Sequence, residues 1–526
     1  MSHSWWQIGT IYQIYPRSFQ DSNGDGVGDL EGIRRRLDYL LWLGVDAIWI
    51  SPIYPSPMHD FGYDVADYCG IDPIFGSLEI FDRLIEEAHS RQLKVILDFV
   101  PNHTSIAHPW FIASRRSRAD PKRSWYIWRD AAADGGPPNN WISNFGGSAW
   151  TWDDRTGQYY YHAFLAEQPD LNWRNANVRA AMHDVLRFWL RRGVDGFRVD
   201  VISELIKDAE FRNNPLNSAW TKDDPEIARL IPAYSTDQPE MHEVIAGFRQ
   251  VIDEFENRVL IGEAYLPIER LVAYYGENLI GVHLPFNFQL MFAPWTAEDI
   301  AALVERYEAA LPEGAWPNWV VGNHDRPRVA ARLGQEQARV AAMLLLTLRG
   351  APTMYYGDEL GIGRVEIPQH LLQDPWGRRE PHFGRDPSRT PMQWDATAFA
   401  GFSTHEPWLP LTSDFETRNV ATMREDATSI LSLVRSLLKY RRQHAALNSG
   451  AWRCLVREGD VLAFERGDGE NPIFVALNFA SGPRAWLAPT SRKLRLAIST
   501  HGGRHGEIIE SNVDLRANEG VVIEPI

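Results

Sequence analysis

The chain has 526 residues, of which 44% are hydrophobic, so it can bury a core larger than that of one ordinary domain. Its formal net charge of −16 argues against a nucleic-acid partner, because contact with phosphates requires clusters of Lys and Arg. Its two cysteines exclude a disulfide framework, and no apolar run reaches the ~20 residues of a membrane span.

In chain order, short apolar runs alternate with segments whose apolar residues recur at helical spacing. Helical spacing is clear in residues 33–41 and 178–189. The candidate strands occupy residues 11–15, 47–51, 94–100, 196–202, 259–264, 282–286, 319–322 and 353–356. Strands that are each followed by a helix in this way predict an α/β fold, a closed (β/α)₈ or TIM barrel.

Two connections are too long to be simple loops. Residues 104–170 follow the third strand and predict an inserted subdomain, and residues 357–400 form a further insertion after the eighth strand. From residue 451 onward, short alternating strands separated by Gly and Pro turns predict a C-terminal antiparallel β-sandwich, residues 451–526. The barrel is therefore expected to consist of residues 1–103 and 171–450.

Charged side chains stand where several predicted strands end, which is where TIM barrels carry their active sites. These residues are His103, Arg198, Asp200, Glu263, His324 and Asp325. Because side chains alternate along a strand, Arg198 and Asp200 point to the same side, and the arginine should keep the carboxylate ionised. Glycosidic cleavage requires two carboxyls, one that attacks the anomeric carbon and one that protonates the leaving oxygen.

Eight segments extend this pattern into a resemblance that covers almost the whole barrel. They are residues 11–30, 61–68 (FGYDVADY), 98–103 (DFVPNH), 168–173 (QPDLNW), 196–201 (GFRVDV), 261–264 (IGEA), 322–325 (GNHD) and 389–394 (RTPMQW). In this order they resemble the α-amylase superfamily, glycoside hydrolase family 13, and within it the oligo-1,6-glucosidase/α-glucosidase branch.

The resemblance assigns roles to residues of this chain. It implies that Asp200 is the nucleophile, Glu263 the general acid/base and Asp325 a carboxylate that grips the sugar hydroxyls at the transition state. Further residues would bind the same ring or close the pocket around it, namely Asp60, Tyr63, His103, Arg198, His324 and Arg389. Arg389 would pair with Asp60, with Arg385 as a rival, while Asp98 and Asn102 would brace the rim.

The resemblance also implies an exo-acting, retaining α-glucosidase that releases α-glucose from the non-reducing end of short α-glucosides, with its two carboxyls about 5–5.5 Å apart. Alternatives are a glucosyltransferase or a broad α-glucosidase acting on maltose, sucrose or trehalose, and more remotely a barrel that has lost catalysis. The first residues lack a signal-peptide pattern. We therefore expect a cytoplasmic monomer or homodimer whose partner is a small α-glucoside, with no nucleic-acid or membrane partner.

Val201 directly follows the expected nucleophile. By strand alternation its side chain should point away from that of Asp200, but because the strand ends here it can border the leaving-group subsite. In the resembling branch, Val at this position accompanies α-1,6 cleavage, whereas Ala or Thr accompanies α-1,4 cleavage. The sequence therefore favours isomaltose-type bonds.

An Asp/Asn/Gly-rich loop near the N-terminus has the ligand spacing of an EF-hand calcium loop. Its candidate ligands are Asp21, Asn23, Asp25, the Val27 carbonyl and Asp29. The twelfth position is Gly32 instead of the usual Glu, so the bidentate ligand is missing. We expect a structural Ca²⁺ or Mg²⁺ site here, with a metal-free turn as the alternative.

Overall fold

A computed structural model describes residues 3–467, 471–490 and 492–526. Its centre is an eight-stranded parallel sheet that curls into a nearly closed barrel. The strands are β1 (Ile11–Ile14), β2 (Ala47–Ile50), β3 (Lys94–Phe99), β4 (Gly196–Val199), β5 (Val259–Glu263), β6 (Leu284–Phe286), β7 (Asn318–Val320) and β8 (Ala351–Tyr355). They pair in the order β7-β8-β1-β2-β3-β4-β5-β6, which confirms the predicted (β/α)₈ barrel.

Helices follow the strands and bury one face each. The helix Leu78–Ser90 begins after Ser77, whose side chain accepts a hydrogen bond from the Ile80 N–H. No helix among the residues described is long and apolar enough to cross a membrane. The α-helices are Trp5–Ile8, Leu30–Arg35, Leu37–Leu43, Leu78–Ser90, Pro109–Ser114, Ala176–Arg191, Met241–Ile252, Ile268–Leu271, Gln289–Phe292, Ala297–Ala310, Val329–Thr347, Pro375–Arg379, Val420–Glu425, Ile430–Gln443 and Ala445–Asn448.

The barrel interior is filled by side chains from alternate positions of its strands. Trp49, Ile96 and Ile261 belong to this inner core. Two positions beyond Ile96 on β3 lies Asp98, and two beyond Ile261 on β5 lies Glu263. Because side-chain direction repeats every second residue, both carboxyls face the interior just above the apolar layer. The strand pattern thus places charged groups at the mouth of the barrel.

The two remaining sheets lie outside the barrel. The strands Trp128–Arg129, Trp150–Asp153 and Gln158–Tyr161 form an antiparallel sheet within the insertion after β3. Near the C-terminus, antiparallel strands form a six-stranded and a two-stranded sheet. They are Trp452–Val456, Val461–Arg466, Ile473–Asn478, Arg484–Leu487, Leu494–Ser499, Ile508–Ile509, Asn512–Leu515 and Gly520–Pro525. The C-terminal antiparallel region is confirmed, and the exact domain boundaries stay predictions.

Gly32 lies where the helix Leu30–Arg35 packs on the preceding segment. Asp29 caps this helix by accepting a hydrogen bond from the Gly32 N–H at 2.6 Å. A Cβ built on Gly32 would lie 1.9 Å from the carbonyl oxygen of Gln20. No side chain fits at such a distance, which explains why the twelfth loop position carries Gly and not a bidentate Glu.

We expect Gly32→Ala to lower the free energy of unfolding by about 1–3 kcal/mol, because the added methyl group overpacks a backbone contact. Urea denaturation would measure the loss. Gly482→Ala is the matched control, since its Cβ would meet only the flexible Arg484 side chain, at 3.5 Å. Equal stability of the two variants would contradict the proposed steric constraint.

Candidate active site

The guanidinium of Arg198 lies among three carboxyl groups. Its Nη1 is 2.7 Å from Asp98 Oδ1 and 2.7 Å from Asp200 Oδ1, and its Nη2 is 2.5 Å from Glu263 Oε2. All four side chains are buried. The structure therefore brings the two expected catalytic carboxyls, Asp200 and Glu263, together at the ends of adjacent strands β4 and β5, with Asp98 beside them on β3.

These acids outnumber the cation that they share. Burial raises the pKa of Asp200 well above its usual range, and the charges of Glu263 and Asp98 raise it further against the opposing effect of Arg198. Burial likewise raises the pKa of Asp98 to about 6. Both the charge of Glu263 and its side-chain hydrogen bonding act in the same direction on the pKa of Asp200 and raise it. Arg198 pairs with Asp200 as expected and lowers its pKa, but one guanidinium serves three acids, so the ionisation of Asp200 stays a prediction.

One end of the site is closed by a buried ion pair. Arg385 Nη2 lies 2.7 Å from Asp60 Oδ1, and Arg385 Nη1 lies 3.2 Å from Asp325 Oδ1. Arg389 instead places its Nη2 3.0 Å from Asp325 Oδ1. The expected pairing of Asp60 with Arg389 is therefore wrong, because the 3₁₀ turn Asp386–Ser388 carries Arg389 deeper into the fold. Arg389 braces Asp325 and does not line the cavity.

Asp325 and His324 follow β7, and the two side chains differ in charge, with Asp325 ionised and His324 neutral. Burial opposes ionisation of Asp325, but His324 and three arginines, Arg385, Arg389 and Arg198, hold its pKa well below the usual range. Burial lowers the pKa of His324 to about 3, so its ring is neutral at neutral pH. Its Nδ1 lies 2.7 Å from the Gln13 amide nitrogen, and its Nε2 lies 2.7 Å from the Tyr63 hydroxyl. With Gln13 donating to Nδ1, the ring proton sits on Nε2 and faces the cavity wall.

His103 is held in a second polar cluster. Its Nε2 lies 3.1 Å from the side-chain amide of Gln168 and 3.1 Å from the Tyr63 carbonyl oxygen. Burial lowers the pKa of His103 to about 4, so this ring is neutral too. Gln168 also approaches Asp60, at 3.3 Å, and the sequence did not single it out as a site residue. The one hint in the sequence was that Gln168 begins the segment 168–173, which resembles a family motif but to which we had assigned no function.

Val201 has an unusual backbone conformation. β4 ends at Val199, and Val201 is left-handed, with φ 37° and ψ 48°. A β-branched residue is rarely found there and is strained by it. The Val201 N–H donates to Glu263 Oε2 at 3.0 Å, so the turn helps to fix that carboxyl. Strand alternation therefore does not describe this side chain, which lines the cavity as its place at the strand end led us to expect.

The cavity at the mouth of the barrel has a volume of about 290 Å³. Asp60 and Arg385 are only 3% and 7% exposed, whereas Tyr265, at the other side, is 39% exposed. The cavity is thus deep at the Asp60 end and open towards Tyr265. Its walls are formed by Asp60, Tyr63, His103, Asn144, Phe145, Phe164, Asp200, Val201, Glu204, Pro225, Ile227, Glu263, Tyr265, His324, Asp325, Arg326, Trp376 and Arg385. Many of these belong to loops, where strand periodicity gives no signal.

The loop of residues 21–29, where the sequence predicts a metal, contains two buried carboxylates, Asp21 and Asp29. Asp21 Oδ1 accepts hydrogen bonds from the Asn23 and Gly24 N–H groups at 2.9 and 2.7 Å. Burial and the nearby charge of Asp21 raise the pKa of Asp29, and no salt bridge in the described residues includes either acid. No three acidic, His or Cys side chains described here are placed to hold a metal by themselves. A bound cation would therefore also need the Asn23 amide and the Val27 carbonyl.

Comparisons with known proteins agree with this architecture. The α-amylase catalytic-domain family matches residues 13–450. A probable α-glucosidase of Rhizobium meliloti is 43% identical over 98% of this chain and 96% of its own length. An oligo-1,6-glucosidase of Heyndrickxia coagulans is 37% identical over 92% of this chain and 94% of its own length. An amino acid transporter heavy chain of Homo sapiens is 38% identical over 99% of this chain and 78% of its own length. The crystal structure of an α-glucosyl transfer enzyme has a TM-score of 0.95 at 41% identity, with both chains covered to 100%.

We expect Arg385→Ala to lower the free energy of unfolding by about 3–5 kcal/mol, because it leaves buried carboxylates without their cation. Urea denaturation would measure the loss. The control is Arg378→Ala, which removes an exposed arginine whose one hydrogen bond among the described residues is to the Leu372 carbonyl, at 2.9 Å. This variant should change stability by no more than about 0.5 kcal/mol. A similar small change in both variants would show that the ion pair does not hold the closed end together.

Proposed function

Because this chain belongs to the α-amylase family, it is a glycoside hydrolase, and we propose that it is an exo-acting, retaining α-glucosidase for short α-glucosides. The observation that carries the proposal is the buried Asp200–Glu263 pair beside a cavity whose far end is closed by Asp60 and Arg385. A closed end leaves no room for a chain beyond the terminal ring, so cleavage would release one glucose at a time.

In the proposed reaction, Asp200 attacks the anomeric carbon while Glu263 protonates the leaving oxygen, and water then hydrolyses the glucosyl-enzyme with Glu263 as base. An inverting enzyme needs its carboxyls about 6.5–9.5 Å apart, to hold a water between them. Here both groups contact one guanidinium, Asp200 through Arg198 Nη1 at 2.7 Å and Glu263 through Arg198 Nη2 at 2.5 Å, so they lie close together. This closeness favours retention.

The relatives support this substrate class and one alternative. Relatives named α-glucosidase and oligo-1,6-glucosidase span nearly the whole chain. The similarity to an α-glucosyl transfer enzyme favours transfer of glucose to sugar acceptors as a second activity of the same glucosyl-enzyme. The alternative of a barrel that has lost catalysis is disfavoured, because both carboxyls and Asp325 line the described cavity. A cytoplasmic location and a monomeric or homodimeric state stay predictions.

Asp200→Asn and Glu263→Gln should each retain the fold and lose at least ~10³-fold in kcat, since each removes a covalent or proton-transfer role. Turnover of isomaltose and 4-nitrophenyl α-glucoside would measure the loss. Asp223→Asn makes the same chemical change at an exposed position and should keep wild-type rates. Near-normal activity of either carboxyl variant would overturn the assignment.

Hydrolysis of isomaltose by the wild-type enzyme also tests whether the anomeric configuration is retained. Proton NMR during the first minutes should show α-glucose as the first-formed product, because two displacements restore the starting configuration. Azide should partly rescue Asp200→Gly and give the β-configured glucosyl azide. β-Glucose as the first wild-type product would refute the double displacement.

For linkage, we propose that Val201 borders the leaving-group subsite and favours α-1,6 over α-1,4 bonds. It lines the cavity close to Glu263, the expected proton donor. An α-1,4 bond sets the second ring directly against this wall, while an α-1,6 bond adds a rotatable CH₂ that carries the ring past it. The Val201 side chain adds bulk to this wall and has no hydroxyl that could bind the second ring.

Val201→Thr keeps the bulk of Val and adds a hydroxyl that the second ring of maltose can bind, so it should shift the ratio of kcat/KM for isomaltose and maltose towards maltose by roughly 10-fold. Because Thr is also β-branched, the backbone strain at the left-handed position 201 should be similar in the variant and in the wild-type enzyme. An unchanged ratio would remove Val201 as the selector. A wild-type preference for maltose would refute the α-1,6 assignment and leave the α-glucosidase assignment intact.

We also propose that the loop formed by Asp21, Asn23, Asp25, Val27 and Asp29 binds one structural Ca²⁺ or Mg²⁺. The support is chemical: two buried carboxylates, the exposed Asp25 carboxylate, an amide and a carbonyl are oxygen ligands, which these cations prefer. The loop lies before the helix Leu30–Arg35 and not in the cavity. The ion would therefore hold the loop and take no part in the reaction.

Chelation with EDTA should lower the melting temperature more than the initial activity, because an ion that binds only the native state stabilises it by mass action. Thermal unfolding with and without added Ca²⁺ would measure this. Asp21→Asn is the control variant and should lose most of the Ca²⁺-dependent shift. Immediate loss of activity without a thermal shift would exclude a structural role.

A further inference from the structure

Glu204 places a carboxyl in the cavity wall that the proposed reaction does not use. It ends the 3₁₀ turn Ile202–Glu204, which follows Val201, and its N–H donates to the Val201 carbonyl at 2.8 Å. Its side chain lines the same cavity as Asp200 and Glu263. Glu204 is therefore fixed by the turn that follows the expected nucleophile, Asp200.

This carboxyl has few partners inside the protein. The Asn144 side-chain amide lies 3.3 and 3.2 Å from its two oxygens, which are long hydrogen bonds. Lys207, a neighbouring cation, is engaged by Asp170 and by Asn102, the latter at 2.8 Å. Within the described residues, Glu204 takes part in no salt bridge. Burial raises its pKa to about 7, against the opposing charge of Lys207. An acid held in this way retains unused acceptor capacity that faces the cavity.

The position of Glu204 relates it to the leaving group. The terminal ring must occupy the deep end, between the Asp60–Arg385 pair and Asp200. The Glu204 N–H donates to the Val201 carbonyl, and the Val201 N–H donates to Glu263 Oε2 at 3.0 Å, so Glu204 and the expected proton donor line the same part of the cavity. The leaving group that Glu263 protonates would therefore lie beside the Glu204 carboxyl.

We propose that Glu204 is a specificity-determining residue that accepts hydrogen bonds from hydroxyls of the leaving-group sugar, and of sugar acceptors, with Asn144 orienting its carboxyl. This role rests on the proposed function. A carboxylate suits a polyhydroxylated ring, because two oxygens can each accept from a sugar hydroxyl. The site would then select sugars over simple alcohols as leaving groups. The discrimination can be large, since a leaving group without hydroxyls leaves a desolvated acceptor unpaired.

The experiment compares two α-glucosides whose leaving groups both need protonation. Isomaltose carries a hydroxylated leaving group, and methyl α-glucoside does not. Glu204→Ala should lower kcat/KM for isomaltose by about 10- to 100-fold and change that for methyl α-glucoside by less than about 3-fold. Glu204→Gln, which keeps the shape, should give an intermediate loss. Glu210→Gln removes an exposed acid from the same segment and should change neither value.

A second readout separates sugar binding from any effect on Glu263. With 4-nitrophenyl α-glucoside as donor and added glucose as acceptor, the ratio of transfer to hydrolysis reports how the glucosyl-enzyme partitions. Both routes use the same base, so only acceptor binding changes this ratio. It should fall about 10-fold in Glu204→Ala.

Equal losses on isomaltose and methyl α-glucoside, or an unchanged partition ratio, would overturn the proposed role of Glu204. If Glu204→Ala does not fold, as judged by circular dichroism, Glu204→Gln provides both measurements and decides the matter. A wild-type enzyme that cleaves none of these glucosides would refute the proposed function, and with it this role.

Discussion

The sharing of one guanidinium by three buried carboxyls is the interaction on which the rest of the site depends. Arg198 holds Asp98, Asp200 and Glu263 at the point where three adjacent strands end. Removing several charges from water is unfavourable unless they are paired, so this cluster requires every member and the barrel that supports it. Burial and the mutual repulsion of the acids raise the pKa of Asp200 and of Asp98 against the effect of this one cation.

Strand periodicity explains how much of the site can be predicted from the sequence. Alternation along β3, β4 and β5 sets the direction of Asp98, Arg198 and Glu263, and the regular succession of strands and helices predicts the barrel itself. The ionisation of Asp200 cannot be predicted in this way. It depends on how many carboxyls surround Arg198, which is a property of three-dimensional packing.

The loops define the remaining limits of sequence analysis. Whether Arg385 or Arg389 meets Asp60 is decided by one 3₁₀ turn, and neither spacing nor composition predicts that turn. Val201 departs from strand geometry because its φ is positive, which is unexpected for a β-branched side chain. Glu204 and Asn144 meet across a gap of 60 residues in the chain. Such contacts lie on connections whose conformations are set by tertiary packing.

The closed end formed by Asp60 and Arg385 has a kinetic consequence for the proposed reaction. A cavity that is closed at its Asp60–Arg385 end gives both products an exit on the same, outer side. The leaving group lies nearer the mouth and departs first, which admits water, and the glucose from the deep end follows last. Free glucose can then re-enter the empty enzyme and compete directly with substrate. The architecture that limits each cleavage to one residue thus also couples the rate of the enzyme to the accumulation of its own product.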